Sequence, residues 1–136
     1  MFKNLIAALA GGRLDTLPAD EAQLALGALL VRVAKSDGNY AFEEIRQIDH
    51  ILADRFDLNP VEAAQLRTRC QKLEAQAPAT AEFVQAVKPA IPFAERSAWV
   101  AAMWKVVLAD GNSVNAEESA FRQVASALGI DTTDLR

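Results

Sequence analysis

Two stretches decide the fold: residues 24–44, LALGALLVRVAKSDGNYAFEE, and residues 99–118, WVAAMWKVVLADGNSVNAEE. In each, a run that is apolar on nearly every face leads into Asp-Gly-Asn and then into an acidic pair. A helix without a polar face belongs at the centre of a bundle, and Asp followed by Gly is turn chemistry. The richest apolar run, Leu24 to Val31, is cut by Arg32, far short of the roughly 20 residues that a membrane span requires. The two runs therefore predict a pair of central helices, each ending in a tight turn that starts a further helix. Burying a Trp or Leu side chain stabilises by roughly 1.5–3 kcal/mol, so this pair is expected to dominate the core.

Working outward, helix signals continue throughout and no alternating strand pattern interrupts them. Pro18, Ala19, Asp20 and Glu21 open the run through Lys35, and a second amphipathic segment spans Phe42 to Phe56. Asn59, Pro60, Val61 and Glu62 form a capping box with Pro at the first helical position, opening a helix to about Ala75. Thr80 is read as the cap of a short helix that the Pro89 to Pro92 stretch ends by removing donors. A long helix runs from Phe93 to about Asp110. Asn115 to Glu118 read as a capping box for a last helix to Leu128, closed by Gly129. At the start, Phe2, Leu5, Ile6 and Leu9 keep the spacing of an amphipathic helix, and the apolar stretch is shorter than the core of a signal peptide. Residues 1–12 are thus expected to be a docking helix. The expectation is all-α: residues 1–136 as a single-domain bundle of about seven helices, built from two pseudo-symmetric repeats at about 20–75 and 93–136.

The repeat is visible residue by residue. Ala34-Lys35-Ser36-Asp37-Gly38-Asn39, Glu43-Glu44 and Arg46-Gln47-Ile48 recur as Val107-Leu108-Ala109-Asp110-Gly111-Asn112, Glu117-Glu118 and Arg122-Gln123-Val124. The acidic pair stands one residue farther from its Asp in the second copy, which predicts one inserted turn residue there. Leu58-Asn59-Pro60-Val61-Glu62 then corresponds to Ile130-Asp131-Thr132-Thr133-Asp134.

Composition narrows the function classes. The 136 residues are 51% hydrophobic and carry 14 Lys and Arg against 18 Asp and Glu, a net charge of −4. That balance opposes phosphate-backbone binding, which requires a positive face. One Cys and one His exclude a disulfide framework and a zinc finger. No nucleophile–base–acid arrangement, glycine-rich phosphate loop or metalloprotease motif is present, and the chain is read as no enzyme. His50 falls off the Ile45–Ile48–Leu52 stripe and is expected in solvent. Cys70 shares a stripe with Leu66 and Leu73 and is expected to be an inert buried thiol. Arg67, Arg69 and Lys72 read as a solvated basic face, and both Trp residues as core.

A core helix ending in Ala-Lys-Ser-Asp-Gly or Leu-Ala-Asp-Gly, followed by a Glu-Glu helix start, resembles the TerB-like family of tellurite resistance proteins. The resemblance runs from about Asp20 to the C-terminus, and the doubled motif makes it specific. It implies an all-helical bacterial module of tellurite resistance and stress response, cytoplasmic, with a metal-linked role and a protein partner at the inner membrane surface. By motif, the family's acidic positions fall on Asp37, Glu44, Asp110 and Glu118. The sequence departs from the family's pattern at Ala41, where a hydroxyl or Asn/Asp helix cap is usual.

Two physical readings of these acids stand side by side. Asp37 and Asp110 follow the C-terminal ends of apolar helices, where the macrodipole disfavours an acid by about 0.3–1 kcal/mol. A divalent cation (Ca, Mg, Mn or Zn) would reverse that sign, because carbonyl and carboxylate oxygens are what hard cations prefer. Equally, an Asp before Gly caps its own turn, and Glu residues are favoured in a first helical turn. The first reading gives a cation-binding module with a protein partner. The second gives a metal-free scaffold or adaptor, with a partner or homodimer surface of exposed Phe or Leu. An EF-hand is excluded: Asp37 and Glu44 fit its fifth and last ligand positions, but Val33 and Lys35, and Val106 and Leu108 in the second copy, occupy the first and third.

Overall fold

The computed structural model describes residues 19–36, 38, 40–77, 79–109 and 115–132. In chain order these form α1 (Ala19–Lys35), α2 (Phe42–Phe56), α3 (Pro60–Gln76), α4 (Thr80–Val87), a 3₁₀ turn (Lys88–Ala90), α5 (Phe93–Leu108) and α6 (Asn115–Ala127). The fold is the all-α bundle expected, with no strand among the described residues. Six α-helices are described; the docking helix expected over 1–12 lies outside the described residues.

The central position of α1 follows directly from its sequence. From Leu24 to Ala34 every residue but Arg32 is buried, and α3, α5 and α6 pack around it. Its closest approach is to α3. A Cβ on Gly27 would stand 2.5 Å from Cys70 Sγ, so only glycine admits α3 at this distance, and the Cys70 thiol donates to the Leu24 carbonyl at 3.7 Å. Helix α5 is central on one side only. Trp99, Val100, Met103, Val106 and Val107 are buried, whereas Ala101, Lys105 and Leu108 are exposed. The expectation of two fully enclosed helices therefore holds for α1, which has α3 over its far side, and only partly for α5.

Helix ends follow local chemistry. Asn59 Oδ1 accepts from the Glu62 N–H at 2.8 Å and Glu62 Oε1 accepts from the Asn59 N–H at 3.0 Å, the box read from sequence. Thr80 is not a cap: Ala79 precedes α4 and offers no side-chain acceptor. Beyond the 3₁₀ turn, Arg96 donates to the carbonyl of Ile91 at 2.8 Å and to that of Lys88 at 3.0 Å, the latter also accepting from the Ile91 N–H at 3.2 Å. Helices α2 and α6 stop by the same device. Asp57 (φ 54°) and Gly129 (φ 78°) turn left-handed, and the following N–H groups of Leu58 and Ile130 reach back to Ala53 and Ala125.

Packing is reciprocal between the halves: α1 lies against α5, α1 against α6, and α5 against α2. The register between halves differs from the sequence expectation. Glu44, Ile48, Ile51 and Leu52 are buried on α2, and Glu117, Phe121, Val124 and Ala125 on α6, one constant offset that also carries Asp37 onto Asp110 and Phe42 onto Asn115. No turn residue is inserted. The second helix begins at Asn115 itself rather than after it, so the acidic pair falls one step later on the helix. The extra residue lies in α2, which runs one residue longer before its left-handed stop.

Candidate functional site

Glu44 is the third residue of α2 and is fully buried. Ala41, at the cap position, has no side-chain acceptor to offer the helix N-terminus. Glu44 supplies the other half of the box: its Oε1 accepts from the Ala41 N–H at 2.9 Å. The second oxygen, Oε2, is buried and has no hydrogen-bond partner among the described residues. A buried carboxylate oxygen without compensation is costly, and Oε2 is therefore the feature of the α2 N-terminus that the local helix chemistry leaves unexplained.

Helix α3 holds both flanks of the first Asp-Gly turn. On the α1 side, Glu74 accepts from Arg32 Nε at 3.1 Å and from Lys35 Nζ at 2.8 Å, while Arg32 Nη2 also donates to the Glu74 carbonyl at 3.2 Å. On the α2 side, the Tyr40 hydroxyl donates to Gln71 Oε1 at 2.9 Å, which also accepts from Arg67 Nη1 at 3.0 Å. Arg67 Nε in turn pairs with Asp49 at 2.6 Å. Burial pushes the Tyr40 hydroxyl up to about 12, outweighing the opposing pull of Arg67. Within the turn, Ser36 Oγ donates to the Val33 carbonyl at 2.6 Å, and Gly38 adopts φ 81°, a conformation open to glycine at no steric cost. The lateral order Lys35–turn–Tyr40 is thus fixed from outside by one helix.

Of the four acids singled out from sequence, Asp37 and Asp110 lie outside the described residues. Glu44 is buried as above; Glu118 is half-exposed and engaged in an interaction. The position on α6 equivalent to Glu44 belongs to Glu117, which is fully buried. Its signal was present in the sequence: Glu44 stands six residues after Gly38, and Glu117 six residues after Gly111. Among the described residues no group of three or more His, Cys, Asp or Glu side chains gathers closely enough to hold a metal ion. Glu43, Arg46, Gln47 and His50 of α2 share a groove of about 360 Å³ with Ala109, the residue that follows α5.

The remaining candidates resolve simply. His50 is exposed. Cys70 is a free buried thiol that burial pushes up to about 12, leaving almost no thiolate at neutral pH. Arg67 departs from the solvated basic face expected of it, being half-buried in the Asp49–Gln71 network, while Arg69 and Lys72 are exposed. Trp99 packs on Phe56 with ring centroids 6.1 Å apart, and Trp104 on Phe121 at 5.0 Å.

The fold and site define a class: an all-helical module in which two Asp-Gly pairs of the sequence each precede a helix with a buried Glu in its first turn. The family model described as tellurite resistance protein TerB matches residues 23–136, and the chain belongs to that family. No curated protein and no solved structure shows significant similarity to it. No helix of the described residues is long and apolar enough to cross a membrane.

Proposed function

We propose that the chain is a non-enzymatic, cytoplasmic TerB module of a tellurite-resistance or stress-response system that binds a divalent cation at its acidic turns and docks a protein partner. The observation that carries this reading is Glu44, fully buried with Oε2 unpartnered among the described residues. Glu117 repeats its position on α6. Glu44 and Asp37 from the first repeat, and Glu117 or Glu118 with Asp110 from the second, are the residues that would hold the ion. An all-oxygen set of carboxylates and carbonyls suits Ca²⁺, Mg²⁺ or Mn²⁺ better than Zn²⁺, which favours nitrogen and sulfur. The cation would offset the repulsion of Asp37 and Asp110 by the negative C-terminal ends of the helices they follow in sequence. Because α3 holds Lys35 and Tyr40, the turn flanks are ordered before any ion arrives, which reduces the ordering cost of binding.

The test is thermal unfolding of chelator-stripped protein against each of the four cations, repeated with Glu44→Gln and Glu117→Gln together. Gln keeps an oxygen for the Ala41 N–H and so preserves the helix start. A ligand at one hundred times its dissociation constant adds about 2.7 kcal/mol to folding, and the expected result is a cation-specific gain of that order that the double variant loses. A flat titration of the folded wild-type chain would sink the cation reading and leave these carboxylates as helix caps of a metal-free scaffold.

A further inference from the structure

Phe56 and Leu66 pack against the core at one edge and are only half-buried. With Leu58 they line an open groove of about 680 Å³ between the end of α2 and α3. Grooves elsewhere along α2 are lined instead largely by polar and charged side chains, Arg46, His50 and Asp54 among them. The start of α1 leads to the apolar groove. The Cys70 thiol meets the Leu24 carbonyl, and farther along both helices Arg32 reaches the carbonyls of Glu74 and Ala77, so α1 and α3 advance in the same direction. Ala19, where α1 begins, is about 7.5 Å back along the helix from Leu24, on the side of Leu66, one turn before Cys70. Residues 1–18 join α1 at that end. They lie outside the described residues, and they precede the match to the family model, which begins at residue 23.

We infer that the N-terminal segment of this same chain folds back onto the groove between the end of α2 and α3, with the stripe Phe2, Leu5, Ile6 and Leu9 covering Phe56, Leu58 and Leu66. The stripe has the spacing of an amphipathic helix, and the groove offers it half-buried apolar side chains at the border of the core. Covalent attachment decides between occupants. Gly11 to Pro18 form a linker of eight residues, up to about 26 Å when extended, which spans the distance along α3 from the start of α1. A short flexible tether holds its segment at an effective concentration of the order of millimolar. A second copy or a foreign helix at micromolar concentration has to compete with that. The inference does not involve the acidic turns, and its failure leaves the cation reading untouched.

The test is methyl-to-methyl nuclear Overhauser contact in the isotopically labelled full chain. Contacts from Leu5, Ile6 and Leu9 to Leu58 and Leu66 are expected, with intensities unchanged on tenfold dilution. Leu5→Asp with Leu9→Asp should abolish them and speed hydrogen exchange at the amides of residues 5–9 at least tenfold, as expected of a segment released from its packing. The methyl signals of Leu29 and Leu52, both fully buried in the bundle, report that the variant remains folded. Absence of contacts between the two sets in the wild-type chain overturns the inference, as does contact of the stripe with another face. Contacts that arise only between labelled and unlabelled copies in a mixed sample overturn it as well, because the groove would then belong to a second copy.

Discussion

Arg32→Ala is expected to destabilise the chain by about 2–3 kcal/mol, the scale of losing charge-assisted hydrogen bonds and half of a largely buried ion pair. One guanidinium joins three helices: Nε pairs with Glu74, Nη2 reaches the carbonyls of Glu74 and Ala77, and its face covers Phe83. Truncation removes these at once and leaves the Glu74 carboxylate, 12% exposed, with Lys35 as its cationic neighbour on the surface side. Lys35 limits the loss, which is why the value falls below that of a fully orphaned charge. Arg32→Lys should recover only a minor part, because an ammonium has no planar fork to serve carboxylate and carbonyls together. Urea unfolding with an unchanged slope would read the difference as stability alone; a variant within 0.5 kcal/mol of wild type, about the scatter of ordinary surface changes, would contradict the account of how α3 is anchored.

The second large effect lies at the closest helix contact. Gly27→Ala places a methyl group 2.5 Å from Cys70 Sγ, with Leu52 Cδ2 at 3.6 Å on the other side. Overpacking of this kind costs about 1–3 kcal/mol, and the helix propensity gained from Ala returns up to about 1 kcal/mol. A net loss of about 1–2 kcal/mol is expected after these two opposing effects. The diagnostic is a double-mutant cycle with Cys70→Ala, which removes the sulfur. The pair should be coupled by at least about 0.5 kcal/mol, beyond the additivity of independent sites. Additive behaviour would mean that α3 does not sit on Gly27 in solution.

Much of the architecture was legible because apolar continuity is a strong signal: Leu24 to Ala34 could be buried only at the centre of a bundle. The Asn59-Pro60 start was equally plain, since both halves of its box are side chains that name themselves. Two kinds of information were not legible. Exposure of Ala101, Lys105 and Leu108 depends on which helix lies over α5, and a residue's own chemistry does not record its neighbour. The register of the second acidic pair depends on where α6 begins. Asn115 looks like a cap, and reading it as one moves the buried Glu from 117 to 118; the equal spacing from Gly38 to Glu44 and from Gly111 to Glu117 was the better guide. Ala41 misled in the other direction. A poor cap by its own chemistry, it is served by Glu44, whose single hydrogen bond to the Ala41 N–H ties a residue of the candidate site to the stability of α2.

That double role makes variants of Glu44 ambiguous when only stability is read, so the most direct measurement leaves the sequence intact. Mn²⁺ is titrated into chelator-stripped, isotopically labelled protein, and paramagnetic broadening of the backbone amides is mapped. Broadening at low Mn²⁺ ratios centred on the amides around Glu44 and Glu117, and reversed by excess Ca²⁺ or Mg²⁺, is the predicted result. Broadening that instead follows exposed carboxylates such as Asp54 and Glu95, with the amides around Glu44 and Glu117 unaffected, would contradict a cation site at the acidic turns.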